Sequence, residues 1–311
     1  MHKYAMLFPG QKFNEKKISS YFTTNKIFQN IFTDASEYAK YDLWKLIHDY
    51  PNGKIKRNKY LQLINLVSSV AIYKLWIMKQ KIQPTLMIGH SLGEYTALIC
   101  SESLKLSDAI KLIILRYKFV QEIMLNKKGL MTILIGINQK TIKKILSKYD
   151  TEKQVSIACI NSSNQIVISG EKHAIEKINT YCKIFQTKKI INLPIDFPYH
   201  CSLIKKASQK FSKILDTVRF KKPKYSVISS TSLKLQNSET SIRCSLKKQL
   251  YRTVNWHTII KNVQNNITLF IEVSSENVLT NLNKKNTNKL SMSLNNNINF
   301  INTLKLFYKN I

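Results

Sequence analysis

The sequence predicts an α/β protein in which a large domain with a mostly parallel sheet carries an inserted small α+β subdomain. Two observations lead to this prediction. First, an apolar strand, a tight turn and a helix follow one another between residues 84 and 100, as in folds whose helices pack on a parallel sheet. Second, residues 129–193 show strand and helix patterns in the order β-α-β-β-α-β, which is the split-βαβ plan of a ferredoxin-like unit.

The elements are predicted in order along the chain. In the large domain, residues 1–126 and 198–311, we predict strands at 4–8, 85–88, 225–229, 268–273 and 290–294, and helices at about 26–44, 59–79 and 94–100. The last strand is followed by a helix. In the small subdomain, residues 127–197, we predict strands at 130–135, 155–160, 165–170 and 189–193, with a lysine-rich helix after the first and a helix at 174–185.

Size and composition indicate a folded protein in a reducing compartment. The chain has 311 residues and is 44% hydrophobic, so it can bury a substantial core. No uninterrupted apolar run approaches the roughly 20 residues that span a bilayer, and the first ten residues lack the apolar region of a secretory signal. The five cysteines are widely spaced without a C-x-x-C pair. We therefore expect a cytoplasmic protein without a membrane span.

The formal charge of +31 would ordinarily suggest a nucleic-acid partner. However, 49 basic residues include only five arginines, and phosphate and base recognition favours the planar guanidinium. The lysines come with abundant Asn and Ile and only seven glycines, as in a genome biased to A/T-rich codons. We therefore expect no nucleic-acid partner, although a positive surface attracts acidic proteins.

The segment from Gly89 to Gly93 has the form G-x-S-x-G and lies between a predicted strand and a predicted helix. This is the setting of the nucleophilic serine in α/β-hydrolase-like folds, and the large domain is predicted to have such a fold. A sharp turn would expose the Ser91 hydroxyl, and the Leu92 amide at the helix start would stabilise an oxyanion. The motif predicts acyl transfer through Ser91.

A serine at its ordinary acidity needs a neighbouring base. His90 is adjacent to Ser91 in sequence, and on a turn its ring would point away from the hydroxyl. His200 follows the small subdomain, where the chain re-enters the large domain and could cross the active edge of the sheet. Its position makes His200 the candidate base, although a lone histidine in a loop is more often structural than catalytic.

Six segments together resemble the malonyl-CoA:acyl-carrier-protein transacylases in order and spacing. The similarity runs from Tyr4 to about Leu282, and the segment Gly-His-Ser-Leu-Gly-Glu-Tyr is highly specific to acyltransferases of fatty-acid and polyketide synthesis. The six segments are residues 8–11 (FPGQ), 89–95 (GHSLGEY), 116–119 (RYKF), 161–162 (NS), 198–201 (PYHC) and 249–251 (QLY).

The resemblance implies a role for each matching residue. Ser91 would be the nucleophile and His200 the base, and Arg116 would bind the free carboxylate of the malonyl group. Gln11 would join Leu92 in supplying oxyanion-hole amides. The resemblance also implies that Gln249 orients the histidine. The position of Arg116 after the apolar run Leu-Ile-Ile-Leu agrees, because a buried arginine needs an anionic partner.

The resemblance also implies the reaction and its partners. A malonyl group would pass by a ping-pong mechanism from malonyl-CoA to Ser91 and then to the phosphopantetheine thiol of an acidic acyl carrier protein, supplying fatty-acid elongation. We expect no cofactor beyond the CoA substrate, no metal, no membrane partner and a monomer. Three other functions stay open on the sequence: a serine hydrolase or thioesterase, a basic nucleic-acid-binding protein, and a catalytically inactive scaffold.

The sequence departs from the family pattern at three places. After residues 8–11 (FPGQ) the family usually has Gly-Ser-Gln, and here Lys12-Phe13-Asn14 follows, so the loss of a flexible glycine is expected to shift the loop that carries the Gln11 amide. Tyr199 stands before the histidine, where the family usually has serine or, in some relatives, phenylalanine. Residues 272–277 (EVSSEN) replace a Gly-Pro-Gly turn. These changes remove glycines and prolines but none of the reacting groups. We therefore expect a less stable fold that retains its chemistry.

Overall fold

The computed structural model describes residues 3–10, 18–48 and 58–308. Predicted Gln11 lies outside these residues. The strands are β1 Tyr4–Phe8, β2 Leu86–Gly89, β3 Gly129–Ile135, β4 Val155–Ser162, β5 Gln165–Glu171, β6 Lys189–Asn192, β7 Ser226–Ile228, β8 Leu269–Glu272 and β9 Leu290–Ser293. The helices are α1 Ser20–Thr23, α2 Lys26–Ala39, α3 Leu43–His48, α4 Asn58–Lys79, α5 Gly93–Cys100, α6 Leu106–Ile123, α7 Gln139–Tyr149, α8 Lys172–Ile184, α9 Lys205–Leu215, α10 Glu239–Gln249, α11 Trp256–Val263, α12 Val278–Asn283 and α13 Asn297–Tyr308.

A five-stranded parallel sheet in the order β7-β2-β1-β8-β9 forms the centre of the larger part of the protein. Every residue of β1, β2 and β8 is buried. This explains why these strands are apolar apart from Glu272 at the end of β8, since a parallel sheet is covered by helices on both faces. The carboxyl ends of β1 and β2 lie side by side, with Phe8 opposite Gly89. The predicted α/β fold with a mostly parallel sheet is confirmed.

A second, antiparallel sheet has the order β4-β5-β3-β6. Helices α7 and α8 pack on it, and their apolar side chains form a separate core with Leu134, Ile166 and Ile168. This is the predicted ferredoxin-like arrangement. The exact boundaries at residues 127 and 197 stay a prediction.

Backbone hydrogen bonds at β4 join the second sheet to the segment that follows α10. The amide of Ile160 donates to the Val254 carbonyl at 2.9 Å, and the Val254 amide donates to the Ala158 carbonyl at 2.9 Å. Strand β4 is irregular between Ile157 and Cys159, and such bulges bend a strand. The link places the second sheet beside the segment that follows α10.

The predicted single helix at 26–44 is wrong. Helix α2 ends at Ala39 because Lys40 adopts a left-handed conformation with φ 51°, and α3 begins at Leu43. The apolar pattern continues through the break because both helices face the same core. Periodicity alone therefore merges them.

Helix α4 is a core helix. Among the described residues, its segment 59–79 is long and apolar enough to cross a membrane by length and composition, and 78% of its most apolar stretch is buried inside the protein. Counting uninterrupted apolar runs missed it because Asn65, Ser68 and Ser69 interrupt the pattern. All three of these polar residues are buried.

The segment that replaces the family's Gly-Pro-Gly turn begins with a buried carboxylate. Glu272 ends β8 and accepts hydrogen bonds from the amide and the hydroxyl of Thr280, each at 2.8 Å. Burial raises the pKa of Glu272 to about 7. The predicted loss of stability from this replacement stays a prediction.

Candidate active site

Ser91 lies in a sharp turn between β2 and α5 and has a left-handed backbone with φ 53°. The two flanking glycines make this turn possible. A Cβ on Gly93 would lie 2.0 Å from the Phe8 carbonyl oxygen, and one on Gly89 would lie 2.1 Å from the Glu94 amide nitrogen. Glycine is needed two positions to either side of the serine because a side chain there would meet the backbone of β1 or α5.

His200 lies beside Ser91, although 109 residues separate them in sequence. The Ser91 Oγ and His200 Nε2 atoms are 2.6 Å apart. His200 follows the small subdomain, has φ 62°, and donates its backbone amide to the Leu250 carbonyl at 2.7 Å. The structure thus brings together the predicted nucleophile and base.

Two backbone carbonyls orient the imidazole. His200 Nδ1 lies 2.8 Å from the Gln249 carbonyl oxygen and 3.1 Å from the Arg252 carbonyl oxygen. Because carbonyls only accept hydrogen bonds, Nδ1 carries the proton in the neutral ring and Nε2 is free to accept from the serine hydroxyl. Backbone carbonyls therefore take the place that a carboxylate occupies in a Ser-His-Asp triad.

The imidazole is buried, and its surroundings favour the neutral form. Burial, helped by the positive charges of Arg116 and, when it is protonated, of His90, lowers the pKa of His200 to about 3. A neutral imidazole at physiological pH is the state that can accept the proton of Ser91.

Arg116 lies on α6 and is 2% exposed. Its guanidinium packs over the ring of Tyr199 at 4.4 Å and donates from Nη1 to Gln62 Oε1 at 3.4 Å. The Nε–H has no hydrogen-bond partner, and no carboxylate of a described residue lies within ion-pair distance. A buried cation in this state is ready to bind an anion.

Tyr199 shapes the arginine side of the site. It is buried, its ring covers the guanidinium, and its hydroxyl accepts from Gln62 Nε2 at 3.2 Å. The sequence identifies Tyr199 as a departure from the family pattern, but it does not indicate the contact with Arg116.

A cavity of about 370 Å³ opens onto Ser91, His200 and Arg116. Most of its lining is apolar, which suits a largely dehydrated reaction site. Met131, Ile133, Cys159 and Val167 line it from the small-subdomain sheet, and Val278, Leu279 and Leu282 line it from helix α12. Exposed Lys285 lies on the rim and donates from Nζ to Gln165 Oε1 at 3.0 Å.

Leu92 also lines the cavity, at the start of α5. Its backbone amide donates to no described residue, as expected for a free N–H in the first turn of a helix. The structure therefore offers one of the two predicted oxyanion donors. The other, the Gln11 amide, lies outside the described residues.

The side chain of Gln249 lies behind the serine. Its Nε2 donates to the Ser91 carbonyl oxygen at 3.0 Å and to Glu94 Oε2 at 2.9 Å. Gln249 therefore contacts both reacting residues, through its side chain on the serine side and through its carbonyl on the histidine side.

His90 points away from the serine hydroxyl, as expected. Its Nε2 lies 2.9 Å from Asn161 Oδ1, and its ring packs against Trp256. Burial lowers the pKa of His90. This ring forms part of the cavity wall.

Among the described residues, no cluster of three or more His, Cys, Asp or Glu side chains is arranged to bind a metal ion.

Comparison with known proteins gives a consistent result. The acyl transferase domain family matches residues 20–299. The malonyl CoA-acyl carrier protein transacylase of Buchnera aphidicola subsp. Baizongia pistaciae is 58% identical over 309 residues, which cover 98% of this chain and 99% of that protein. The protein of the same name from Escherichia coli K12 is 32% identical over 295 residues, which cover 94% of this chain and 96% of that protein.

Solved structures show the same fold. A malonyl-transacylase in complex with a type II PKS acyl-carrier protein superposes with a TM-score of 0.93 at 32% identity, covering 98% of this chain and 99% of that chain. The malonyl CoA-acyl carrier protein transacylase of Coxiella burnetii also has a TM-score of 0.93, at 30% identity, covering 98% of this chain and 97% of that chain. The chain is therefore an acyltransferase that belongs to the acyl transferase domain family, among the malonyl CoA-acyl carrier protein transacylases.

Proposed function

We propose that this enzyme transfers the malonyl group of malonyl-CoA to the phosphopantetheine thiol of an acyl carrier protein through a malonyl ester of Ser91. One observation carries the proposal. Ser91 and His200, whose Oγ and Nε2 atoms are 2.6 Å apart, line the same cavity as buried Arg116. Ser91 and His200 can transfer an acyl group, and Arg116 can bind a carboxylate. Together they fit an acyl group that has a free carboxylate at its far end.

In the first half-reaction, Ser91 Oγ attacks the thioester carbonyl carbon while its proton passes to His200 Nε2. The resulting imidazolium keeps its Nδ1 hydrogen bonds to the two backbone carbonyls. The C–S bond then breaks, and the CoA sulfur leaves with the proton from His200. This leaves malonyl-Ser91 and a neutral imidazole.

The oxyanion formed by the attack would accept a hydrogen bond from the Leu92 amide, with the Gln11 amide as the second donor. Leu92 is suited to this role because its amide starts α5, where the helix dipole adds partial positive charge. A fixed donor needs no rearrangement as the charge develops.

Arg116 would bind the free carboxylate of the malonyl group and so select malonyl over acetyl donors. Its ring contact with Tyr199 and its hydrogen bond to Gln62 restrict the guanidinium, and the Nε–H is unused. The bound carboxylate would also offset the positive charge that lowers the pKa of His200. Correct substrate binding would thus make the base stronger.

In the second half-reaction, the carrier thiol gives its proton to His200 and attacks the ester carbon. The C–O bond to Ser91 breaks and Ser91 Oγ takes the proton back. CoA and the carrier arm both bear a phosphate on pantetheine, and rim Lys285 is suited to approach it. The net charge of +31 favours an acidic carrier, which would speed encounter.

The remaining parts of the proposal concern setting and partners. The enzyme would act as a cytoplasmic monomer that supplies fatty-acid elongation, with no cofactor, no membrane and no nucleic acid. The five free cysteines agree with a reducing compartment.

The test is incubation with malonyl-CoA, with and without holo acyl carrier protein. We expect rapid formation of malonyl-carrier and little free malonate. Release of malonate at the same rate in both reactions would show a hydrolase instead, and would refute the transfer proposal.

A further inference from the structure

Glu94 is a fully buried carboxylate next to the nucleophile turn, and the reaction described above does not use it. It lies in the first turn of α5 and is 0% exposed. No Lys, Arg or His of the described chain forms an ion pair with it. Burying a charge without a counter-ion costs free energy, so a carboxylate in this position needs strong hydrogen bonds.

Hydrogen bonds from two separate segments converge on this carboxylate. Ser230 donates from its amide at 3.2 Å and from its hydroxyl at 2.7 Å. Ser245 donates from Oγ at 3.0 Å, Gln249 from Nε2 at 2.9 Å, and Gln236 from its side-chain amide. Glu94 therefore joins α5 to the loop after β7 and to helix α10.

The Gln249 contact connects Glu94 to the reacting pair. Both hydrogens of the Gln249 amide are used, one on Glu94 and one on the Ser91 carbonyl oxygen. The last residue of α10, Gln249, and two residues just after it, Leu250 and Arg252, supply the carbonyls that bind His200. A shift in the end of α10 would therefore move His200 relative to Ser91.

We propose that Glu94 is a positioning residue: its carboxylate fixes the end of α10 through Gln249 and thereby sets the distance between Ser91 and His200. The inference rests on the proposed function only in taking Ser91 as the nucleophile. Glu94 touches neither the substrate cavity nor the imidazole in the described structure. It acts through Gln249, as residues that orient a catalytic histidine do in other sites.

The substitution Glu94→Gln tests this role with little change in volume. A carboxamide has one accepting oxygen and an NH₂ group that donates. Its NH₂ would face donors such as Ser230 or Gln249, and at least one of those bonds would be lost. A displacement of about 1 Å at a reacting pair lowers the rate by roughly 10²-fold.

The experiment measures the rate at which a fluorophosphonate reagent labels Ser91, followed by intact mass, because this reaction needs an activated serine and no malonyl group. We expect Glu94→Gln to label about 10²-fold more slowly than wild type. Glu272→Gln is the matched control, since Glu272 is also fully buried and contacts neither Gln249 nor Ser91 among the described hydrogen bonds. It should label at the wild-type rate.

A second variant tests the inference in case Glu94→Gln does not fold. Gln249→Met keeps the other donors to Glu94 and removes the link to Ser91, so it should fold and label slowly. Partial recovery of labelling in Glu94→Asp would support the requirement for a carboxylate. Labelling of both Glu94→Gln and Gln249→Met at the wild-type rate, or equal slowing in Glu272→Gln, would overturn the inference. If wild type labels at Ser91 but transfers no malonyl group, the proposed function fails and the positioning role does not.

Discussion

Replacing Arg116 by alanine should change which acyl group the enzyme accepts. Arg116 is 2% exposed, the face of its guanidinium is covered by Tyr199, and Gln62 accepts a hydrogen bond from one of its nitrogens. The unused Nε–H leaves an edge that can donate to a carboxylate. Malonyl-CoA brings that carboxylate and acetyl-CoA does not, so the substitution should affect the two donors differently.

The size of the effect follows from the number of contacts. A hydrogen bond to a charged group contributes about 1.5–3 kcal/mol, and a bidentate contact has two, or about 3–6 kcal/mol. Each 1.4 kcal/mol is about tenfold in rate. We therefore expect Arg116→Ala to lower kcat/KM for malonyl-CoA by roughly 10²- to 10⁴-fold. The value for acetyl-CoA should not fall, because loss of the nearby positive charge also raises the pKa of His200.

The assay follows CoA release and the intact mass of the protein with each donor separately. Arg116→Lys keeps the charge but loses the planar fork, so it should lie between wild type and the alanine variant. Arg243→Ala is the matched control because Arg243 pairs with Glu239 away from the cavity. An unchanged preference for malonyl over acetyl in Arg116→Ala would show that the carboxylate binds elsewhere.

Three further predictions concern the rim, the base and the turn. Lys285→Ala should raise the KM for malonyl-CoA by about threefold to tenfold, the modest size of an exposed ionic contact. The KM for malonyl-N-acetylcysteamine, which lacks phosphate, should not change. An equal rise in both KM values would contradict a phosphate contact. Because the pKa of His200 is lowered to about 3, its imidazole stays unprotonated and active down to acidic pH. A plot of kcat/KM from pH 5 to 8 should therefore show no loss of activity with a pKa near 6.5. Such a loss would contradict a neutral His200 as the base. Gly93→Ala would place Cβ 2.0 Å from the Phe8 carbonyl oxygen, and it should lower the free energy of unfolding by about 3 kcal/mol or more in urea titrations; a wild-type midpoint would show that the turn can relax.

The parts of the fold that could be predicted depend on local patterns. Strand β1 and the first three residues of β8 are apolar because they are buried on both faces, and the glycines around Ser91 mark a turn that no larger residue fits. The order of elements in residues 129–192 was enough to predict the ferredoxin-like sheet. The break at Lys40 was missed because it depends on one backbone angle and leaves the apolar periodicity intact.

The site was only partly predictable for a physical reason. Ser91 and His200 have reactive side chains, and a motif or a resemblance can identify them. The carbonyls of Gln249 and Arg252 that orient His200 have no side-chain signature, since any residue supplies a carbonyl. The contacts of Glu94 likewise depend on packing between distant segments, which only the folded structure brings together.

The central claim is that Ser91 carries the acyl group during transfer. The most direct measurement is the intact mass of the protein after brief exposure to malonyl-CoA without carrier protein, with peptide mapping of the modified residue. Wild type should gain one malonyl group on Ser91 and lose it when carrier protein is added, and Ser91→Ala should gain none. A malonyl adduct that persists in Ser91→Ala, or that wild type does not pass to the carrier, would contradict the claim.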